Sequence, residues 1–212
     1  MRLLRLIAGW VGIVFALVIA ISIADGTLWK LWNMPPRPVI VKPIDPDSEL
    51  ARFMYDAVKA SRSEDHRLSA ELYTKALAIE PGPNVISQDL HALRGSEYNH
   101  LGMPDKAFAD YDAAIRVYYY EPLSGSAIRS YMGRGYAAMN LKKYARAKDD
   151  FDVALKALPN DVPRSSATLA WRGGTWQGLG DRERAVADYK AALALDPNNK
   201  YARDALSNLG EP

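Results

Sequence analysis

RGGTWQGLGDRERAVADYKAALALDP, residues 172–197, is the stretch on which the fold reading turns. Ala185, Tyr189, Ala192 and Leu193 follow one another at intervals of four, three and one, which places them on a single helical face. Alternating small and large side chains on that face let another helix sit close. Gly173, twelve residues before Ala185, lies in an earlier helical segment and permits a tight crossing there. Leu179-Gly180 marks a turn, Asp181 is placed to cap the helix that follows, and Pro197 ends it. The stretch therefore predicts two antiparallel helices within a unit of about 34 residues.

The same spacing recurs upstream. Ser69, Ala107 and Ala147 correspond to Ala185; Tyr73, Tyr111 and Phe151 to Tyr189; Ala76, Ala114 and Ala154 to Ala192. Ala57, Gly95 and Gly135 stand where Gly173 does. These positions resemble the tetratricopeptide-repeat (TPR) family, and the last unit fits best through Gly173, Trp176, Gly180, Ala185, Tyr189, Ala192 and Pro197. The resemblance covers about residues 50–199 as repeats 50–83, 88–121, 128–161 and 166–199, with 199–209 fitting a capping helix, in a TPR domain spanning 49–212. It implies an all-α solenoid of helix hairpins, a right-handed superhelix with a concave groove. Departures are visible: Ala57 replaces a glycine, Ser69 replaces the small alanine, and Tyr119 stands where repeat two should end in proline.

A charged pair also repeats. Arg94, Arg134 and Arg172 are each followed sixteen residues later by Asp110, Asp150 and Asp188. Arginine falls on the first helix of a unit and aspartate on the second, so antiparallel packing brings them together. They read as structural ion pairs, with arginine supplying its planar fork. Repeat one has Asp56 and Leu72 at these places; losing both partners at once is what a brace predicts.

Composition narrows the function. Two arginines, Arg2 and Arg5, precede the first apolar run; beyond it 25 basic residues balance 25 acidic ones. That neutrality argues against a nucleic-acid binder. With no cysteine, disulfides and thiolate chemistry are absent. His66, His91 and His100 are isolated in sequence, and His91 reads as a core residue. The run 173–180 lacks the Lys-Ser/Thr of a phosphate loop. No catalytic, metal or cofactor site is expected, and no small-molecule substrate.

Residues 1–32 form an N-terminal anchor or signal segment. Its uncharged stretch 6–24 is long enough, at about 1.5 Å per residue, to span a bilayer as a helix. Two readings compete: a secretory signal cleaved after Ala24, and an uncleaved transmembrane helix flanked by Trp29 and Trp32. Ala8, Gly12, Ala16 and Ala20 recur every four residues, a stripe suited to helix packing in a membrane. The expected placement is single-pass in a bacterial inner membrane with the repeats on the periplasmic side. Residues 33–48 hold five prolines and read as a semi-rigid linker.

What remains is binding. By repeat position the groove wall should include Met54, Val58, Ser96, Asn99, His100, Arg129, Met132, Tyr136 and Met139, then Gly174, Gln177 and Gly178. Methionine and tyrosine make an adaptable surface for a peptide or helix. The bare Gly174 and Gly178 suggest a furrow beside the Met132–Tyr136–Met139 ridge. The family's carboxylate clamp is not expected, because its positions hold Met54, Val58, Ala92, Ser96, Gly133, Ala167 and Trp171, with Arg129 alone resembling a clamp residue. The sequence thus points to a membrane-anchored scaffold or adaptor for a protein partner, an envelope assembly factor; an accessory subunit of a membrane complex, docked through its transmembrane helix, is the alternative. A secreted regulator of an envelope enzyme is the weaker third reading.

Overall fold

The computed structural model describes residues 43–116, 124–158 and 161–211. They form four helix hairpins and a terminal helix: α1 (Glu49–Arg62) with α2 (His66–Ile79), α3 (Val85–His100) with α4 (Pro104–Arg116), α5 (Gly125–Asn140) with α6 (Tyr144–Lys156), α7 (Val162–Gly178) with α8 (Arg182–Leu195), and α9 (Lys200–Asn208). Each helix packs on its hairpin partner, and the second helix of each hairpin packs on the first of the next. This is an all-α solenoid of helix hairpins without strands among the described residues.

Local sequence explains where the helices begin. The side chains of Ser48, Asp65, Asn84, Ser124, Asp161, Asp181 and Asn199 each accept a hydrogen bond from a first-turn N–H, satisfying donors that a helix start leaves unpaired. The tight turns share one geometry. Glu64, Gly102, Lys142 and Gly180 all take positive φ, at 61°, 67°, 58° and 80°. The N–H of the next residue then donates to a carbonyl five residues back, as Met103 does to Tyr98 and Lys143 to Ala138. The two glycines were legible as turn residues. Glu64 and Lys142 adopt the same backbone at a steric cost.

The core repeats one contact. A buried aromatic of the second helix lies against a side-chain-free position of the first. A Cβ on Gly135 would stand 2.7 Å from the Phe151 ring, one on Gly173 2.7 Å from Tyr189, and one on Gly95 3.2 Å from Tyr111. Ala57 supplies the matching position opposite Tyr73 in the first hairpin, where both are buried. At the other end, Ala202 and Leu206 of α9 cover Tyr189 and Ala192, and Asn199 Nδ2 donates to the Ser166 carbonyl and hydroxyl.

The expected transmembrane helix is corrected for what is described: among these residues no helix is long and apolar enough to cross a membrane. Segment 6–24, with the stripe Ala8, Gly12, Ala16 and Ala20, lies outside the described residues, as do most of the proline-rich linker and Tyr118–Tyr120.

Candidate functional site

The repeated arginines come first, because they hold the helices that form the groove. Arg134 Nε donates to Asp150 Oδ2 at 2.9 Å and Nη2 to Oδ1 at 2.8 Å. Arg94–Asp110 and Arg172–Asp188 repeat the same two-pronged geometry at 2.7–2.8 Å. Each guanidinium has a further bond that sequence reading missed. Its Nη1 reaches back to the second helix of the preceding hairpin: Arg94 to Thr74 Oγ1, Arg134 to Asp112 and Arg172 to Asp152. One arginine thus joins three helices. The signal was present in the sequence: DYD at 110–112 and DFD at 150–152 carry a second aspartate two residues after the first, and LYT at 72–74 carries its neutral substitute. The series ends at the last hairpin: Lys190 stands where Asp112 and Asp152 do and pairs with Glu211 instead.

The environment of the three pairs differs. Arg134 and Asp150 are nearly enclosed, with side chains 4% and 3% exposed, whereas Arg172 and Asp188 are 23% and 11% exposed. Burial pushes the Asp150 carboxyl above its usual range, against the opposing pull of Arg134. At Asp110 burial acts in the same sense, but Arg94 and His91 outweigh it and hold that carboxyl below its usual range. His91, expected in the core, is half-buried and bonded through Nδ1 to Asp110 at 2.9 Å. His66 bonds to the buried Glu97 at 2.7 Å and stacks flat on His100, ring centroids 4.4 Å apart. Among the described residues no group of three histidines or carboxylates is arranged to hold a metal ion.

A groove of about 650 Å³ crosses the first helices of hairpins one to three, within the usual range for a ligand pocket. Met54 of α1, Leu93, Ser96 and His100 of α3, and Arg129 and Tyr136 of α5 line it. Its floor is built by the same small-for-large rule as the core. Gly133 has no side chain because the Tyr111 hydroxyl lies where a Cβ would be, and Asn99 Nδ2 donates to the Gly133 carbonyl at 3.2 Å. Burial, with the nearby Glu97 and Asp110 carboxylates, raises the Tyr111 phenol to about 12 against the opposing hydrogen bonds of Ser96 and Asn99, so it stays a neutral wall group near neutral pH. Trp171 of α7 closes one end, 5.3 Å from Tyr136 and 6.2 Å from Phe151 between ring centroids.

Seven of the twelve expected groove residues line this space: Met54, Ser96, Asn99, His100, Arg129, Met132 and Tyr136. Met132 is buried and belongs to the floor rather than a ridge. The furrow expected at Gly174 and Gly178 is corrected, because neighbouring side chains occupy it. A Cβ on Gly174 would meet the Tyr201 hydroxyl at 2.5 Å and Met139 Sδ at 3.3 Å; one on Gly178 would meet the Tyr144 ring at 2.4 Å. Gln177 accepts from the Tyr189 hydroxyl instead of facing the groove. The glycines of α7 admit aromatic side chains of this chain. Helix-position counting could not show this, because Tyr144 and Tyr201 come from α6 and α9.

Comparison with known proteins agrees with this geometry. The tetratricopeptide repeat model matches residues 128–161 and 171–199, so the third and fourth hairpins are tetratricopeptide repeats. FK506-binding protein-like of Mus musculus is 31% identical over 118 residues, covering 55% of this chain and 33% of the relative. Heat shock protein STI1 of Saccharomyces cerevisiae is 30% identical over 121 residues, covering 56% of this chain and 20% of the relative. The chain therefore spans a third or less of the length of these curated relatives. Among solved structures, YrrB, described as a TPR protein with an unusual peptide-binding site, superposes with a TM-score of 0.62 at 16% identity, covering 75% of each chain. The first TPR domain of human RPAP3 gives a TM-score of 0.50 at 26% identity, covering 61% of this chain and 92% of that one. The expected periplasmic, inner-membrane localisation is corrected: no described helix is long and apolar enough to cross a membrane, and the curated relatives matched are a heat shock protein and FK506-binding protein-like proteins.

Proposed function

We propose that this protein is a TPR scaffold for protein–protein interaction, and that it holds a segment of its partner in the groove across α1, α3 and α5. The observation that carries the reading is the groove's composition. It joins a fixed apolar floor to exposed or half-exposed Leu93, Tyr136 and Trp171, with Arg129 at one edge. Aromatic anchors beside a polar rim are the recurring chemistry of protein-binding surfaces. The relatives' names suggest an adaptor among chaperone-linked proteins, working by bringing two proteins together rather than by chemistry of its own.

The test places a photo-crosslinking side chain at Leu93 in the groove and, as a control, at Lys148 on α6. Crosslinks to discrete partners from Leu93 and not from Lys148 are expected. Tyr136→Ala should weaken that capture about thirtyfold, since a central aromatic anchor typically contributes about 2 kcal/mol or more. Equal capture from both positions, undiminished by Tyr136→Ala at unchanged helical content, would refute the groove as the partner site.

A further inference from the structure

The shape of the groove constrains what it can hold; this inference rests on the groove being the partner site. Trp171 stands across its end, wedged against Tyr136 and Phe151. Beyond Trp171 the concave face of hairpin four is already covered by Met139, Tyr144 and Tyr201 over Gly174 and Gly178. An occupant cannot continue along all four repeats. The open length is three first helices, α1, α3 and α5, or two steps of about 10 Å each. An extended chain advances about 3.3 Å per residue, so roughly six residues fill that length.

The polar groups select chemistry. Asp89 at the rim accepts a hydrogen bond from the Ser126 hydroxyl. His100 lies flat on His66. Arg129 is exposed and makes no ion pair with a described residue. A guanidinium is a cation with donors and no acceptor, so the peptide group that matches both its charge and its donors is a carboxylate. A single cation matches a single carboxylate. A peptide C-terminus that also carried an acidic side chain would bring two. The middle of the groove, Met54, Leu93 and Tyr136, takes apolar side chains.

We propose that the groove takes an internal segment of about six extended residues, apolar at its centre, with one aspartate or glutamate side chain on Arg129, and that Trp171 makes the segment turn away. Trp171 is then the residue that sets the length of the ligand.

Random dodecapeptides displayed on phage through their C-terminal ends, selected against the full-length chain, test this directly. Enriched peptides should share a core of about six residues with an acid beside apolar positions, and the core should bind as a synthetic peptide with both ends blocked. Arg129→Gln should weaken that peptide about tenfold, the scale of a charge-assisted contact, and peptides reselected on Arg129→Gln should lose the acid. Trp171→Leu, which keeps an apolar side chain on Phe151, should select longer cores; circular dichroism checks that both variants remain helical. A shared core of about ten or more residues on the unaltered chain would overturn the inference. So would an enriched core lacking an acid, binding only with a free C-terminus, or no enrichment at all. Enrichment that persists undiminished on Tyr136→Ala would instead overturn the groove as the partner site.

Discussion

Arg134→Ala is the most informative single change to the scaffold, and its cost can be worked from the contacts. The guanidinium makes two bonds to Asp150, one to Asp112, and lies 5.5 Å from the Tyr131 ring centre. Removing it affects the two aspartates unequally. Asp112 is a quarter exposed and keeps Arg116 at 2.7 Å, so its loss is small. Asp150 is 3% exposed and keeps, among the described residues, only Arg146, at 3.5 Å. Stranding a buried charge costs about 3–5 kcal/mol, and partial rescue by Arg146 places the expectation near 3. For a chain of this size that lowers the melting temperature by roughly 6–12 °C. Arg172→Ala should cost less, because its partner is more exposed, and so should Arg94→Ala, because His91 remains on Asp110. The penalty should also depend on pH. Asp150 has a folded pKa already above its usual value, and losing Arg134 raises it further. A carboxyl that binds its proton more tightly in the fold destabilises as pH rises through the window between its unfolded and folded values, so the variant should recover stability on acidification towards pH 4. Denaturant melts of Arg134→Leu, Asp150→Leu and the double variant Arg134→Leu/Asp150→Leu measure the coupling, with Arg134→Ala beside them. The double variant should regain much of the loss. Additive losses, or a single-variant cost no greater than the roughly 0–1 kcal/mol of an exposed pair such as Lys148–Asp152, would show that this arginine is not a brace.

Two further outcomes follow from the packing. Gly135→Ala should destabilise by about 1–3 kcal/mol, because its Cβ would meet a fully buried Phe151 ring at 2.7 Å, while Gly95→Ala, at 3.2 Å from Tyr111, should cost less in the same melts. Burial raises Tyr73 and Tyr111 to about 12; the unfolded chain ionises near 10, so stability should be lost as pH climbs from 10 towards 12, by up to about 1.4 kcal/mol per pH unit for each tyrosine. Following helical circular dichroism and tyrosinate absorbance together checks this: the exposed tyrosines, Tyr55 among them, ionise without unfolding, so absorbance reaching the full value for all twelve tyrosines before the helix is lost would contradict it.

The hairpin plan was legible because it is local. The Ala185–Tyr189–Ala192 face, the Gly180 turn and the sixteen-residue Arg–Asp interval all lie within one unit, where helical geometry converts spacing into contact. The groove was partly legible for the same reason: Met54, Ser96, Asn99, His100, Arg129, Met132 and Tyr136 line it, and their place follows from the first helix of a repeat. What failed depends on contacts between units. Gly174 and Gly178 looked bare because the rings that cover them belong to α6 and α9. The roles of Asp112 and Asp152 do not follow from spacing within one unit, because their arginines lie in the following hairpin. Glu64 and Lys142 concealed a left-handed turn because glycine, its usual marker, was replaced by residues that adopt it under strain.

The contacts between units also explain why the groove can keep one shape. Its walls are first helices, and at the floor Gly133 must stay bare for Tyr111. Their spacing is set from behind. Arg94 links α3 to α2 and α4, and Arg134 links α5 to α4 and α6. An arginine with three bonded directions resists both sliding and rotation of the helix that carries it, because its donors lie in one rigid plane. The floor can then remain small-residued without the helices closing on it, and an occupant meets a preformed surface with less ordering cost at binding. Brace and groove are therefore coupled. Arg134→Lys, which retains the charge but not the fork, should loosen α5 against α4 and weaken groove binding even though residue 134 points away from it, whereas Arg172→Lys, behind Trp171, should act on ligand length more than on affinity. Equal and negligible effects of both lysine variants on the blocked six-residue peptide would show that the groove keeps its shape without the braces.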